Sequence, residues 1–193
     1  MTPKEYFEKV LSGKWATAGR NIQYRLENRV LYFQASNEES DWAFNFDFPA
    51  VPYKDMKEKF LVHRGFLKAW KSVRDEIALL DFDTIVGYSM GGALATFAHE
   101  DFRYRKGYQP KTIVFGCPKV LFLPSLHVLN RFTAIGRYAN KEDIVAKLPP
   151  FFTHVGRFER MNEVKLKRPE GFPLLAWLSG HTPQMYRMRL ENI

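Results

Sequence analysis

Ser89 lies in Gly87-Tyr88-Ser89-Met90-Gly91, a glycine-flanked serine of the kind whose chemistry would be attack on an acyl carbonyl. A serine hydroxyl is a weak nucleophile until a neighbouring base takes its proton, and it must also stand clear of its surroundings. Glycines on both sides permit a sharp strand-to-helix turn that holds the hydroxyl at the top of a sheet and at a helix N-terminus. There the helix dipole and backbone N–H groups favour the negative charge of acyl transfer. The flanks fit: Thr84-Ile85-Val86-Gly87 is a short β-rich run, and Gly91 to Ala98 is small and helix-prone. A structural glycine turn is the alternative. The Gly-Lys-Ser/Thr of a phosphate-binding loop is absent, and the stretch is not G-x-G-x-x-G.

An acid and then a histidine are expected downstream. Asp143 is the prominent acid, following a strand-like run and preceding Ile144-Val145. Of the histidines at 63, 99, 127, 154 and 181, His154 and His181 remain once Asp143 is taken as the acid. His154 stands in a strand-like stretch, which favours a structural hydrogen-bonding role. His181 stands in the loop Ser179-Gly180-His181-Thr182-Pro183 before the last helix, and such loops carry catalytic side chains. His181 is therefore the preferred base.

The elements that must position these residues alternate between strand and helix. Apolar spacing predicts a short helix over residues 4–11 and most of a helix over 60–80, starting after Gly65. Ile22-Tyr24-Leu26 and Val30 to Phe33 read as a hairpin turned at Glu27-Asn28, and residues 42–48 alternate as a third strand. Thr112 to Phe115 and Phe132 to Tyr138 are further strands, residues 155–166 suggest a hairpin, and a last helix runs from about Pro183 to Leu190. Alternation of this kind predicts an α/β fold with a mainly parallel sheet. No linker interrupts residues 1–193, so one domain is expected.

The chain has 193 residues, of which 46% are hydrophobic and 26% charged, ordinary values for a soluble globular protein. Lys and Arg total 29 against 21 Asp and Glu, a net charge of +8. That balance leaves peripheral contact with anionic lipid surfaces open. Nucleic acid is disfavoured as a partner, because the basic residues are scattered and no recognition signature is present. The N-terminal ten residues contain acidic side chains where a secretory signal needs an apolar run. With a single cysteine, Cys117, this predicts a cytoplasmic protein. No stretch has the ~20 apolar residues of a membrane span, and no His or Cys cluster offers a metal site.

The sequence resembles the class 3, or fungal-lipase-like, lipase family. Phe33-Gln34-Ala35-Ser36 is similar to the family's Phe-Arg-Gly-Ser/Thr, and Val62-His63-Arg64-Gly65-Phe66 to its Val-His-x-Gly-Phe. Val86 to Ala95 follows the serine elbow, and Phe115-Gly116-Cys117-Pro118-Lys119-Val120 resembles Phe-Gly-x-Pro-Arg-Val. Asn140 to Pro150 matches Asn-x-x-Asp-x-Val-x-x-Leu-Pro-Pro, and His154-Val155-Gly156 matches the His-Val-Gly that follows.

The resemblance implies an α/β-hydrolase fold: a mainly parallel central sheet flanked by helices, with an N-terminal antiparallel hairpin. It implies a serine carboxylic-ester hydrolase acting on an acyl-ester or lipid substrate without metal or cofactor. Ser89 would be nucleophile, Asp143 acid and His181 base, and the backbone N–H groups of Met90 and Ser36 would form the oxyanion hole. Gln34-Ala35 replaces Arg-Gly, and Tyr88 replaces the usual histidine. The span from Ser36 to His63 leaves little room for a large helical lid, so a reduced or absent lid is expected. Two apolar segments could line an acyl groove or pack into the core: Val120 to Pro124, and Phe172 to Leu178 with Phe172, Leu174, Leu175, Trp177 and Leu178. The second is the better lining candidate because it directly precedes His181. A catalytically inactive lipase-like module that binds lipid or protein is the competing functional reading.

Overall fold

A computed structural model describes residues 1–34, 47–56, 59–163, 179–191 and 193. Its main sheet has seven strands in the order β1 (Ala16–Ala18), β2 (Ile22–Glu27), β3 (Val30–Phe33), β6 (Thr84–Tyr88), β7 (Lys111–Phe115), β9 (Ile135–Tyr138) and β11 (Arg157–Phe158). β1, β2 and β3 pair antiparallel, whereas β3, β6, β7, β9 and β11 run parallel. This is the expected mixed, mostly parallel α/β-hydrolase sheet with its N-terminal hairpin.

The alternation of side chains along the central strands sorts the core into two layers. Leu31, Phe33, Ile85 and Val114 point to the face covered by α2 (Arg64–Ile77) and α3 (Met90–Lys106). Val30, Tyr32, Val86, Tyr88, Ile113 and Phe115 point the other way, toward α1 (Pro3–Leu11) and α5 (Pro183–Arg189). α1 starts in a reciprocal cap between Thr2 and Glu5, with Pro3 in the first turn. Thr182 caps α5 through the Met185 N–H. The two helices are clasped by Arg187, which donates twice to Glu8 at 2.7 and 2.9 Å, and by Lys4 on Glu191 at 2.8 Å.

Several boundaries differ from expectation. α2 begins at Arg64, because Leu61–His63 is strand β5. β5 belongs to a second sheet ordered β10 (Phe152–Thr153), β8 (Leu121–Phe122), β5 and β4 (Ala50–Pro52), all antiparallel, which the periodicity did not announce. β9 starts at Ile135 and not at Phe132, because a short helix, α4 (Leu126–Asn130), runs into a turn whose buried anchor is Phe132. The hairpin expected over 155–166 is not formed by the described part. Gly156, at φ +80°, turns the chain so that β11 closes on the open edge of β9. Of the strand expected over 42–48, residues 42–46 lie outside the described residues, and Asp47 and Phe48 are not in a strand. The expectation about the lid falls largely on residues 35–46, also outside them.

Candidate functional site

Ser89 caps the N-terminus of α3 directly after β6, with φ 56° and ψ −126°. A non-glycine residue in that region is strained and is held there by its surroundings. The Ser89 N–H donates to Phe115 O at 2.9 Å, and its carbonyl accepts from the Gly92 N–H at 2.9 Å. The flanking glycines are required sterically. A Cβ on Gly87 would stand 2.2 Å from Gly91 O, and one on Gly91 would stand 2.3 Å from Phe33 O. The chain leaving β3 therefore passes directly against the serine turn.

Asp143 and His181 are brought to the same point from two loops. His181 Nε2 is 2.8 Å from Ser89 Oγ, and its Nδ1 is 2.8 Å from Asp143 Oδ2. The carboxylate can only accept, so Nδ1 carries the proton and Nε2 faces the serine as the acceptor. The Asp143 side chain is fully buried, whereas that of His181 is 14% exposed. Burial of a carboxylate requires donors, and among the described residues three converge on it: His181 Nδ1, the Ala146 N–H at 3.1 Å on Oδ1, and the Tyr186 hydroxyl at 2.6 Å on Oδ2.

The loop that bears His181 is fixed at several points. Asn140 Nδ2 donates to Gly180 O at 2.7 Å. Gly180 packs so closely on the Asp143 loop that a Cβ there would come within 2.5 Å of Glu142 C. The Tyr88 hydroxyl donates to the His181 carbonyl oxygen, and its ring stacks on the imidazole with centroids 5.1 Å apart. Tyr186 accepts from the Asn140 N–H while donating to Asp143. Burial and the adjacent Asp143 charge raise the Tyr186 hydroxyl well above the ordinary tyrosine range, and the same two causes raise Tyr88, so both remain protonated donors. Gly116, at φ +54°, leaves room for this convergence. A Cβ there would lie 2.9 Å from Tyr186 Oη and 3.0 Å from both Asp143 Oδ2 and His181 Cε1.

The sequence alone assigns no role to Tyr186 or Asn140, and Tyr88 stands in it only as a replacement for the usual histidine. Tyr186 reads as one more apolar position of the last helix, and nothing in its spacing ties it to Asp143. Asn140 was visible only as part of the segment resembling Asn-x-x-Asp.

The remaining candidates are placed as follows. Met90 is the first residue of α3, next to Ser89. Ser36, Phe172, Leu174, Leu175, Trp177 and Leu178 lie outside the described residues. Val120 and Leu121, candidates for a groove lining, are each 1% exposed and belong to the core. His154 makes no described bond to Ser89 or Asp143. Burial, with Arg137 and Lys119 nearby, pushes its imidazole down to about 4. His63 caps α2 by accepting from the Phe66 N–H at 3.3 Å and stacks on that ring. No group of three potential metal ligands occurs among the described residues, and no described helix is long and apolar enough to cross a membrane. A cleft of about 490 Å³ lined by Arg29, Leu79, Asp81, Asp83 and Tyr108 lies at the opposite end of β3 and β6 from Ser89.

Residues 30–153 match the sequence family "Lipase (class 3)". A fungal lipase–inhibitor complex, presented as a model for interfacial activation, superposes with a TM-score of 0.65 at 22% identity, over 78% of this chain and 66% of that one. A member of a fungal lipase family noted for an unusual buried polar cluster gives 0.63 at 22% identity, over 94% and 80%. The Rhizomucor miehei lipase propeptide complex gives 0.60 at 24% identity, over 76% of this chain and 55% of its own.

Proposed function

Because the chain belongs to the class 3 lipase family, we propose that it hydrolyses carboxylic esters of lipid type through an acyl-enzyme on Ser89. The observation that carries this reading is the imidazole of His181, with one nitrogen 2.8 Å from Ser89 Oγ and the other 2.8 Å from a fully buried carboxylate. His181 Nε2 takes the serine proton as Oγ bonds to the acyl carbon. Asp143 holds the tautomer and stabilises the imidazolium. The developing oxyanion is held by the backbone N–H of Met90 and by that of Ser36, two residues beyond the Gln34 backbone that packs on the turn. Collapse breaks the C–O bond, and the alcohol leaves with the proton from His181. Water, deprotonated by the same nitrogen, then releases the acid and frees Ser89.

Phe172 to Leu178 would supply apolar lining for the acyl chain, since the segment leads straight into the loop of His181. Acylglycerols, phospholipids and short-chain esters all present the required carbonyl, and graded p-nitrophenyl esters beside phospholipids would rank them. Ser89→Ala is expected to abolish ester hydrolysis and fluorophosphonate labelling, with the melting temperature retained. Unchanged turnover in that variant would remove Ser89 as the nucleophile. Absence of labelling in the folded native protein would favour an inactive lipase-like module that binds lipid or protein.

A further inference from the structure

Leu123, Leu126 and Phe151 are 72%, 79% and 80% exposed, although their neighbours Val120 and Leu121 are buried. Leu123 and Phe151 lie side by side in the fold. Phe122 pairs with Phe152 across β8 and β10, so Leu123 and Phe151 are the next residues beyond that register. Leu126 opens α4 three positions further on. Leu123 and Phe151 both have left-handed backbone, at φ 42° and 65°. Bulky apolar residues rarely adopt that conformation, and here it accompanies side chains held out into solvent.

The surrounding chain is electropositive. From Gly116 to Phe158 there are six Lys and Arg residues, of which Arg131, Lys141 and Arg157 pair with Glu100, Glu163 and Glu159, and two carboxylates, Glu142 and Asp143. Both carboxylates are engaged, Glu142 by Arg189 and Asp143 by His181 and Tyr186. Lys119 and Lys147 form no ion pair with a described carboxylate. The Lys119 N–H donates to Leu148 O at 2.7 Å, which ties the stretch leading to Phe151 against the loop that follows β7. That loop starts at Gly116, beside Asp143 and His181.

We propose that Leu123, Leu126 and Phe151 form an anchor that enters the interfacial layer of an anionic lipid surface, with Lys119 and Lys147 meeting its head groups. Apolar side chains that protrude from separate turns with cations beside them match the layered chemistry of a bilayer interface. A protein partner would have to supply a separate pocket for each tip. The inference deepens the ester-hydrolase reading by placing the active site at the surface where lipid esters reside, but attachment itself needs no turnover.

The test is sedimentation of the full chain carrying Ser89→Ala with vesicles of phosphatidylcholine alone or equimolar with phosphatidylglycerol. Binding is expected to favour the anionic vesicles and to weaken with salt. Adding Leu123→Ser and Phe151→Ser should lower partitioning about tenfold per side chain. Lys119→Gln and Lys147→Gln should each cost about fivefold on anionic vesicles and nothing on neutral ones. Phe151→Ser, Lys119→Gln and Lys147→Gln in the Ser89 enzyme should leave kcat/KM on a soluble short-chain ester unchanged. Undiminished vesicle binding by the Leu123→Ser/Phe151→Ser protein, or no binding of the folded protein to either vesicle, overturns the proposal. So does vesicle-free self-association that the double substitution abolishes, which would assign the patch to a second copy. If Ser89 proved not to be catalytic, vesicle binding would persist, so the two readings fail separately.

Discussion

Tyr186→Phe removes one oxygen from a buried network and keeps the ring that packs on Phe7 and Tyr88. The lost bond, 2.6 Å to Asp143 Oδ2, is to an ionised acceptor with no exposed surface. Hydrogen bonds of that kind contribute about 1.5–3 kcal/mol. The Asn140 N–H also loses its acceptor. A stability loss of about 2 kcal/mol should lower the melting temperature by roughly 4–8 °C in a chain of this size.

The effect on activity has a separate signature. Without the tyrosine donor, the negative charge of Asp143 is shared among fewer partners and bears more strongly on His181. The imidazolium is then stabilised, and the acidic limb of kcat/KM against pH moves upward. Thermal melts and a pH–rate profile on a soluble ester measure both effects on one preparation. A melting temperature that drops while the acidic limb and kcat stay in place would refute the reasoning, because Tyr186 would then be merely a packing residue. An unchanged melting temperature would show that the bond is not made.

Two further outcomes follow from the same geometry. Gly116→Ala, which places a methyl 2.9–3.0 Å from Tyr186, Asp143 and His181 at φ +54°, should lower kcat by about 10–100-fold through displacement of the acid–base pair; single-turnover kinetics would locate the loss in acylation. His154 is held at about 4 in the folded state, whereas an unfolded histidine titrates near 6.5. The unfolded chain therefore takes up the proton first. Stability from this group is full above about pH 6.5 and falls toward pH 4 by at most about 3 kcal/mol. Urea unfolding at several pH values should show that slope in the native chain and a shallower one in His154→Gln.

What was legible in the sequence was whatever depends on short-range pattern. The serine turn could be read because Gly87 and Gly91 are needed for contacts within a few residues of Ser89 and against β3. Strands β2, β3, β6 and β7 could be read because their side chains follow period two or are buried on both faces. The second sheet escaped because its strands are two or three residues long and come from segments as distant as Ala50 and Phe152. β11 was misread as half of a local hairpin, since nothing near Gly156 shows that the edge of β9 is open. Ser89, Asp143 and His181 were proposed from chemistry, order and family resemblance. The tyrosines around them were not, because an aromatic residue on an apolar strand or helix face looks like core until its hydroxyl is seen to have a partner.

The clasp between α1 and α5 joins residues 179 apart in the chain, Glu8 and Arg187. Closing so long a loop is entropically slow to reward, whereas β2, β3 and the α3 layer form over shorter separations. His181 and Tyr186 lie immediately before and within α5, so that closure helps to fix where they stand. For the ester hydrolysis proposed above, the base and the tyrosine that supports its acid are thus held in place by a contact between residues 179 apart.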